Sequence, residues 1–321
     1  MANGIETGTR PVNFRKVGIV GCGFVGSASA FALMQSGLFS EMVLIDVDRD
    51  RAEGEALDIA HGMPLASPAN IYAGNYADIA DAGVVIITAG ANQKPGETRL
   101  DLVSKNVSIF KSIVPQITQS GFDGILLVVS NPVDVLTGYT LELSGFPAER
   151  VIGSGTVLDT ARIKCLLGEK LGVDSRNVHA FMLGEHGDSE VAVWSSANIS
   201  GADLDDFCLA AGIDDPESML ASLAREVTHA AYDIIERKGA TCYGIAMAVR
   251  RIAEAIIRDE HAVLPVSTLA RGAYGIEGVC LGLPAVVGRS GVSRVLDLPL
   301  SRDETERLLA SAHKLKTLME G

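Results

Sequence analysis

The residues best suited to chemistry gather around one histidine. His186 stands in Gly184-Glu185-His186-Gly187-Asp188-Ser189, a glycine-flanked loop after an apolar run at 178–183. An imidazole there can give or take a proton near neutral pH, although a structural loop histidine has the same appearance in one sequence. Asp159 and Arg162 lie three residues apart at the start of a helical pattern, so they share a face. A carboxylate near an imidazole orients the ring and stabilises its protonated form, and a guanidinium can grip a carboxylate with two parallel hydrogen bonds. A surface ion pair would show the same spacing. A further cation, Arg99, ends the polar segment Ala89-Gly90-Ala91-Asn92-Gln93-Lys94-Pro95-Gly96-Glu97-Thr98-Arg99. That segment follows an apolar run, and its glycines and proline suit a movable lid as well as a solvated loop. Asn131, in Val129-Ser130-Asn131-Pro132, follows another apolar run, where turn chemistry before proline is the alternative.

A second constellation suits a dinucleotide. Gly21-Cys22-Gly23-Phe24-Val25-Gly26 follows an apolar run and opens a helical pattern. Its glycines permit a tight turn, close approach of a pyrophosphate, and helix–strand packing, while the helix N-terminus supplies N–H groups and a positive dipole end. Asp46 ends the next apolar run, twenty residues after Gly26. A carboxylate there accepts hydrogen bonds from a ribose 2′-OH and repels a 2′-phosphate, which favours NAD over NADP. Arg51 is near enough to keep the NADP alternative open.

These groups need a frame that brings strand ends together. Apolar runs at 17–21, 42–47, 84–90 and 125–131 alternate with helical patterns at 24–37, 51–61 and 104–119. That alternation predicts a doubly wound parallel sheet with helices on both faces. Later the beat changes. Helical patterns at 158–171 and 222–237 mix with β-type runs at 178–183, 263–268 and 278–287, and Ser301 with Glu304 forms a capping-box pattern before the last helix. The fold class is α/β, with an N-terminal domain over residues 1–154 and a C-terminal mixed α/β catalytic domain over 155–321.

Composition narrows the partners. The chain has 321 residues, 47% of them apolar, which is enough for two domains. Its net charge of −13 disfavours nucleic acid and anionic membranes, so an anionic substrate would need a local cationic pocket. The cysteines Cys22, Cys165, Cys208, Cys242 and Cys280 are odd in number and lack C-x-x-C spacing. They suggest neither a disulfide framework nor a metal site, and they fit a reducing cytoplasm. Residues 1–14 lack the apolar stretch of a signal peptide and read as a tail. No apolar run approaches the ~20 residues of a membrane helix.

Taken in order, residues 21–26, Asp46, the loop 93–99, residues 129–132, Asp159-Thr160-Ala161-Arg162 and residues 184–188 resemble the lactate/malate dehydrogenase family, and within it the bacterial L-lactate dehydrogenases. The resemblance covers about 17–318. It implies a Rossmann-type NAD domain and reversible NADH-dependent reduction of pyruvate to (S)-lactate in glycolysis and fermentation. It assigns His186 as proton donor and acceptor, Asp159 as its partner, Arg162 as the carboxylate clamp and Arg99 as the lid arginine. Gln93, Asn131 and Thr241 match substrate-pocket positions. Gly21, Gly23, Gly26, Asp46, Gly90, Ala91, Val129, Asn131 and Ser154 match cofactor contacts, as do Val25, Arg51, Tyr76 and Ser112 more weakly. It also implies a homotetramer or dimer. Lys164 and His179 fall at the positions of an allosteric fructose 1,6-bisphosphate site, with lysine where arginine is usual. Two alternatives stay open. A malate dehydrogenase, or a broader 2-hydroxy-acid dehydrogenase, would share the frame, but malate enzymes normally carry arginine where this chain has neutral Gln93. A non-catalytic NAD-binding protein would share it too, but should have lost one of His186, Asp159, Arg162 or Arg99.

Overall fold

The computed structural model describes residues 11–91 and 99–320. Strands β1 (Asn13–Val20), β2 (Glu41–Ile45), β3 (Asn70–Ala73), β4 (Ala82–Ile87), β5 (Ile125–Val128) and β6 (Val151–Gly153) form a parallel sheet in the order β3-β2-β1-β4-β5-β6. Helices α1 (Phe24–Ser36), α2 (Arg49–His61), α3 (Arg99–Gln119) and α4 (Val133–Ser144) make crossovers between them. All six residues of β4 are buried, which is why its sequence is an unbroken apolar run and does not alternate. The strand order reverses between β1 and β4, so a crevice opens beyond their carboxyl ends, where Gly21 and Ala89 lie.

The second half builds around α5 (Val157–Leu171). It continues with the hairpin of β7 (Val178–Leu183) and β8 (Val191–Ile199), the short β9 (Ala202–Asp203), and helices α6 (Leu204–Ala210), α7 (Pro216–Lys238) and α8 (Tyr243–Ile257). β10 (Ala262–Arg271), β11 (Glu277–Gly288), β12 (Gly291–Val295) and α9 (Arg302–Glu320) complete it. β7, β8 and β9 form a separate sheet. β10, β11 and β12 instead extend the parallel sheet, joining it antiparallel at β6 through the pair Ser267–Gly153. One nine-stranded sheet therefore runs past residue 155. Apolar residues of α1, α2 and α8 cover one face, and those of α3, α4 and α9 the other.

The tail expected through Phe14 is shorter than its polarity implied. Asn13 and Phe14 belong to β1, the Asn13 N–H donates to the Asp81 carbonyl at 2.7 Å, and Phe14 packs against Gly83. Tertiary pairing here overrides weak local propensity.

The capping box forms at α9. The Ser301 N–H donates to Glu304 Oε2 at 2.7 Å, and the Glu304 N–H donates to Ser301 Oγ at 3.2 Å. Glu304 is also buried against β8, where its Oε1 accepts the N–H groups of Trp194 and Ser195 at 2.7 and 3.0 Å. Its carboxyl stays below the usual range, because these donors outweigh burial, which acts the other way. Glu304→Ala leaves three backbone donors without their acceptor, an expected loss of about 2–4 kcal/mol. Differential scanning fluorimetry at fixed protein concentration should show a clearly lower Tm, with Glu304→Gln recovering at least half. A parental Tm for the alanine variant would rule out this anchoring role.

Candidate active site

The turn from β1 to α1 is shaped by what its glycines lack. Gly21 has φ 102°, and a Cβ there would lie 2.4 Å from the Ala89 nitrogen. A Cβ on Gly26 would lie 1.8 Å from the Gly21 carbonyl oxygen, so the helix could not close on the turn. A Cβ on Gly23 would meet no protein atom within 4 Å. That open side faces the N-terminus of α1, where no side chain caps the helix and no acidic residue occupies the first turn. Free main-chain donors, a positive dipole end and room for close approach fit a pyrophosphate. Asp46 accepts the Cys22 N–H at 2.6 Å on Oδ2 and the Asp48 N–H at 2.9 Å on Oδ1. It shapes the turn and also presents a partly exposed carboxylate at the strand end, as an NAD ribose needs.

Across the crevice, His186 and Asp159 meet. His186 Nδ1 lies 2.7 Å from Asp159 Oδ2, and Arg162 Nη1 donates to Asp159 Oδ1 at 2.8 Å. Asp159 is 2% exposed, Arg162 14% and His186 23%, so a buried carboxylate supports two cations that reach toward solvent. Burial alone would push the Asp159 carboxyl up, but His186 and Arg162 hold it below its ordinary value. Burial alone would push the His186 ring down, but Asp159, with help from Glu190 and Asp134, raises it to about 9. With Nδ1 committed to Asp159, Nε2 is left for a ligand. The expected Asp159–Arg162 face on the helix forms, but as a buried junction in contact with His186 and not as a surface pair.

The remaining sites fall in three groups. Near the crevice, Gly90, Ala91, Val129, Asn131 and Ser154 follow β4, β5 and β6. Asn106 on α3, buried, accepts the Ala91 N–H at 2.7 Å and donates to the Asn131 carbonyl at 2.7 Å, tying two of these segments together. Val25 lies in the first turn of α1. Thr241 lies between α7 and α8, where Gly244 packs on Leu158, the neighbour of Asp159. Tyr76 is partly buried, while Arg51 on α2 and Ser112 on α3 are exposed, with no direct contact to the turn at 21–26 among their hydrogen bonds. Gln93 falls outside the described residues. Arg99 opens α3, and only its backbone is described. Away from the crevice, Lys164 on α5 is half-buried and its ammonium is lowered by burial. His179 on β7 lines an open cavity of about 470 Å³ with Phe181, Ser196, Asn198 and Leu298, and Lys164 is not among the lining residues.

Two acidic residues beside His186 escape a reading by motif. Asp134 on α4 accepts the His186 N–H at 2.8 Å. Glu190 is buried, accepts from Thr228 Oγ1 at 3.3 Å, and leaves Oε2 without a partner. Ligand atoms of Asp159, His186 and Glu190 lie within 4.8 Å of one another, close enough for a small metal site, but Asp159 already engages His186 and Arg162. Burial first, and the Asp159 charge second, push the Glu190 carboxyl up to about 8. A signal for Asp134 existed in the sequence, since an acid interrupts the apolar run Val133-Asp134-Val135-Leu136.

Comparison with known proteins covers both halves of the chain. The lactate/malate dehydrogenase NAD binding domain model matches residues 15–153, and the lactate/malate dehydrogenase alpha/beta C-terminal domain model matches 156–321. An L-lactate dehydrogenase of Priestia megaterium is 54% identical over 302 residues, covering 94% of this chain and 95% of the relative. One from Clostridium perfringens strain SM101 is 53% identical over 301 residues, again 94% and 95%. Among solved structures, a minor L-lactate dehydrogenase from Enterococcus mundtii in a ligand-bound form has a TM-score of 0.93 at 47% identity, covering 95% of this chain and 98% of that one.

The raised positions of His186 and Glu190 set a pH dependence. A group whose folded value lies above its unfolded one binds an extra proton in the folded state, so stability falls as pH rises between the two values. For Glu190 that window runs from about 4.5 to about 8, and for His186 from about 6.5 to about 9. The ligand-free protein should therefore lose Tm steadily from pH 6 to pH 9. Glu190→Gln, which mimics the protonated acid, should match the parent near pH 4.5, below the window, and exceed it by a margin that grows as pH rises toward about 8, reaching at least about 2–4 °C at pH 9. Parallel Tm curves for the two proteins would show that Glu190 does not titrate in this window.

Proposed function

The chain belongs to the lactate/malate dehydrogenase family, and from that premise we infer that it is an NAD-dependent L-lactate dehydrogenase, reversibly reducing pyruvate to (S)-lactate. The observation that carries the reading is the junction of His186 and Arg162 on one buried carboxylate, Asp159. The chemistry supplied by bound NADH is hydride donation to the carbonyl carbon. Gly21, Gly23 and Gly26 would hold the pyrophosphate, Asp46 the adenosine ribose, and Gly90, Ala91, Val129, Asn131 and Ser154 the rest, with Val25, Arg51, Tyr76 and Ser112 at the margins.

Arg162 grips the substrate carboxylate with guanidinium N–H groups that Asp159 leaves unused. The His186 imidazolium donates a proton from Nε2 to the carbonyl oxygen as negative charge grows there, and Asp159 stabilises the charged ring before transfer. In the oxidative direction neutral His186 takes the hydroxyl proton. Arg99 polarises the carbonyl and excludes water when the lid closes. Asn131 and Thr241 complete the pocket, and neutral Gln93 suits a methyl group, where a second carboxylate would need a cation.

Other features of the reading rest on narrower support. Division into domains at residue 154/155 follows from the change of pattern there. Five free cysteines suit a reducing cytoplasm. No described helix is long and apolar enough to cross a membrane. Phe24 and Phe31 on α1, Leu57 on α2, and Tyr243 and Met247 on α8 are exposed apolar side chains, which favours self-association as a dimer or tetramer. Lys164 and His179 would form, across such an interface, a site for fructose 1,6-bisphosphate.

Two experiments test the reading. Pyruvate-dependent NADH oxidation should exceed oxaloacetate-dependent oxidation. His186→Asn should lose about 10²–10⁴-fold in kcat while keeping NADH affinity. Near-parental turnover in that variant would sink the assignment of His186. For the effector, millimolar fructose 1,6-bisphosphate should lower the apparent KM for pyruvate, most simply measured at pH 6. Superimposable saturation curves at pH 6 would reject the effector site and leave the catalytic assignment standing.

A further inference from the structure

The residues on either side of His186 are joined to each other and to the last helix. Ser189 Oγ donates to Glu185 Oε2 across the turn that carries the imidazole. From α9, buried Ser311 Oγ accepts the Glu185 N–H at 2.9 Å and lies 3.1 Å from Ser189 Oγ. Proton counting fixes the direction of that last bond. A hydroxyl has one proton and Ser189 directs its own to Glu185, so Ser311 must donate to Ser189. The three residues then close a hydrogen-bond cycle, from the Glu185 N–H to Ser311, from Ser311 to Ser189, and from Ser189 back to the Glu185 carboxylate. Lys314 Nζ, about one turn further along α9, lies 3.2 Å from the same Oε2. The Glu185 side chain is 1% exposed and that of Lys314 40%, so a surface cation covers a buried carboxylate.

We propose that Glu185, Ser189 and Ser311 are positioning residues for the reaction: their hydrogen-bond cycle closes the catalytic loop on itself and ties it to α9, which keeps the imidazole in its contact with Asp159. The proposal rests on the reading of His186 as the proton donor. Between the two loop anchors lie His186, Gly187 and Asp188. Gly187 has φ 125°, and a Cβ there would meet no atom within 4 Å, so packing does not brace the turn at that point. Bracing has to come from its two ends. α9 is well placed to supply it, since a Cβ on Gly184 would lie 2.8 Å from Ser311 Oγ. The helix is itself fixed independently of the loop, by the Glu304 bonds to β8 and by buried Leu308, Ala312 and Leu315. Plain packing between loop and helix would be served by apolar side chains, without the desolvation of an acid and a hydroxyl. What the polar set adds is direction, because each bond of the cycle fixes the partner of the next.

The test uses the full chain with NADH bound and compares Ser311→Ala, Ser189→Ala and the double variant. Ser311→Ala should lower kcat for pyruvate reduction about fivefold to tenfold, with NADH affinity within about twofold of the parent. Carbon-13 labelled histidine, with the His186 signal assigned through His186→Asn, reports the imidazole without any need for turnover. In the parent that signal should titrate at about 9, where burial acts to lower it and contact with Asp159 to raise it. A loosened loop weakens the contact, so each single variant should titrate lower by about half a pH unit or more. The double variant should lose no more than about twofold in kcat beyond either single one, because one missing hydroxyl already opens the cycle. A role in packing alone would lower Tm and leave the titration in place, and an unshifted His186 signal in both single variants overturns the proposal. So does a double variant in which the two losses multiply, since the hydroxyls would then act separately. Should Ser311→Ala fail to fold, Ser189→Ala decides by the same titration. Absence of pyruvate turnover in the parent would remove the functional reading instead, and the titration would still report on the cycle.

Discussion

A carboxylate nearly sealed from water stays ionised only with cations or donors set against it, and Asp159 has one on each oxygen. Much of the surrounding architecture serves to bring those partners together. Arg162 comes from the next turn of α5, but His186 comes from a different sheet, so the start of α5 has to be fixed to the end of β7. Two threonines do this. Thr156 Oγ1 donates to the Met182 carbonyl at 2.6 Å, and Thr160 Oγ1 accepts the Met182 N–H at 2.9 Å. The Thr156 N–H in turn donates to the Pro265 carbonyl of β10 at 3.0 Å, and Gly184 pairs with Gly282 of β11. The end of the parallel sheet, the hairpin and the antiparallel extension all converge on one buried charge. Removing either cation would leave one oxygen of that buried carboxylate without its partner, at a cost of up to about 3–5 kcal/mol, so the members of the junction depend on one another.

The cofactor side solves the opposite problem. A chain of net charge −13 must receive an anionic pyrophosphate. The turn at 21–26 contains no basic side chain, and attraction there comes from main-chain N–H groups and the end of a helix dipole. Such donors are neutral overall, and they are effective only if the turn is rigid. Asp46 supplies some of that rigidity by accepting the Cys22 and Asp48 N–H groups. Its carboxylate is therefore both part of the turn and the group that would discriminate against a 2′-phosphate, and substitution at this position alters shape and selectivity together.

How much of this was legible in the sequence depended on the range of the interactions. Unbroken apolar runs in β1, β2, β4 and β5 announced a parallel sheet, and the Ser301–Glu304 spacing announced the start of α9, because both signals are local. α4 was missed because its apolar residues continue those of β5 almost without a break, and β3 because four residues give too little periodicity. The joining of β10 to β6 has no local signature, since it depends on one pairing between residues 153 and 267. Where a motif carried the site, as for His186, Asp159 and Arg162, the residues it named lie in contact with one another. Asp134, Glu190 and Asn106 were overlooked because each acts through a main-chain group or through burial, and neither leaves a spacing to recognise. A polar residue inside an apolar helical face, as Asn106 is between Val103 and Val107, was the available clue.

The three acidic groups around His186 also constrain how an anionic substrate can be admitted. With Glu190 protonated, the described groups carry two positive charges, on His186 and Arg162, and two negative ones, on Asp159 and Asp134. That sum is zero, and it becomes negative once Glu190 ionises. A neutral cluster can orient a carboxylate through Arg162 but offers it little net attraction. Any surplus of positive charge must come from elsewhere in the chain, and the segment just beyond β4 contains both Lys94 and Arg99. One further cation beside the cluster, the role proposed for Arg99, would give it a single positive charge, which matches a monocarboxylate. A dicarboxylate would still exceed it by one, and Gln93 supplies no charge to balance the difference. Selectivity for a monocarboxylate thus follows from the charge count as well as from the size of the pocket, and it should weaken in alkali, where loss of protons from Glu190 and His186 reverses the sign of the field.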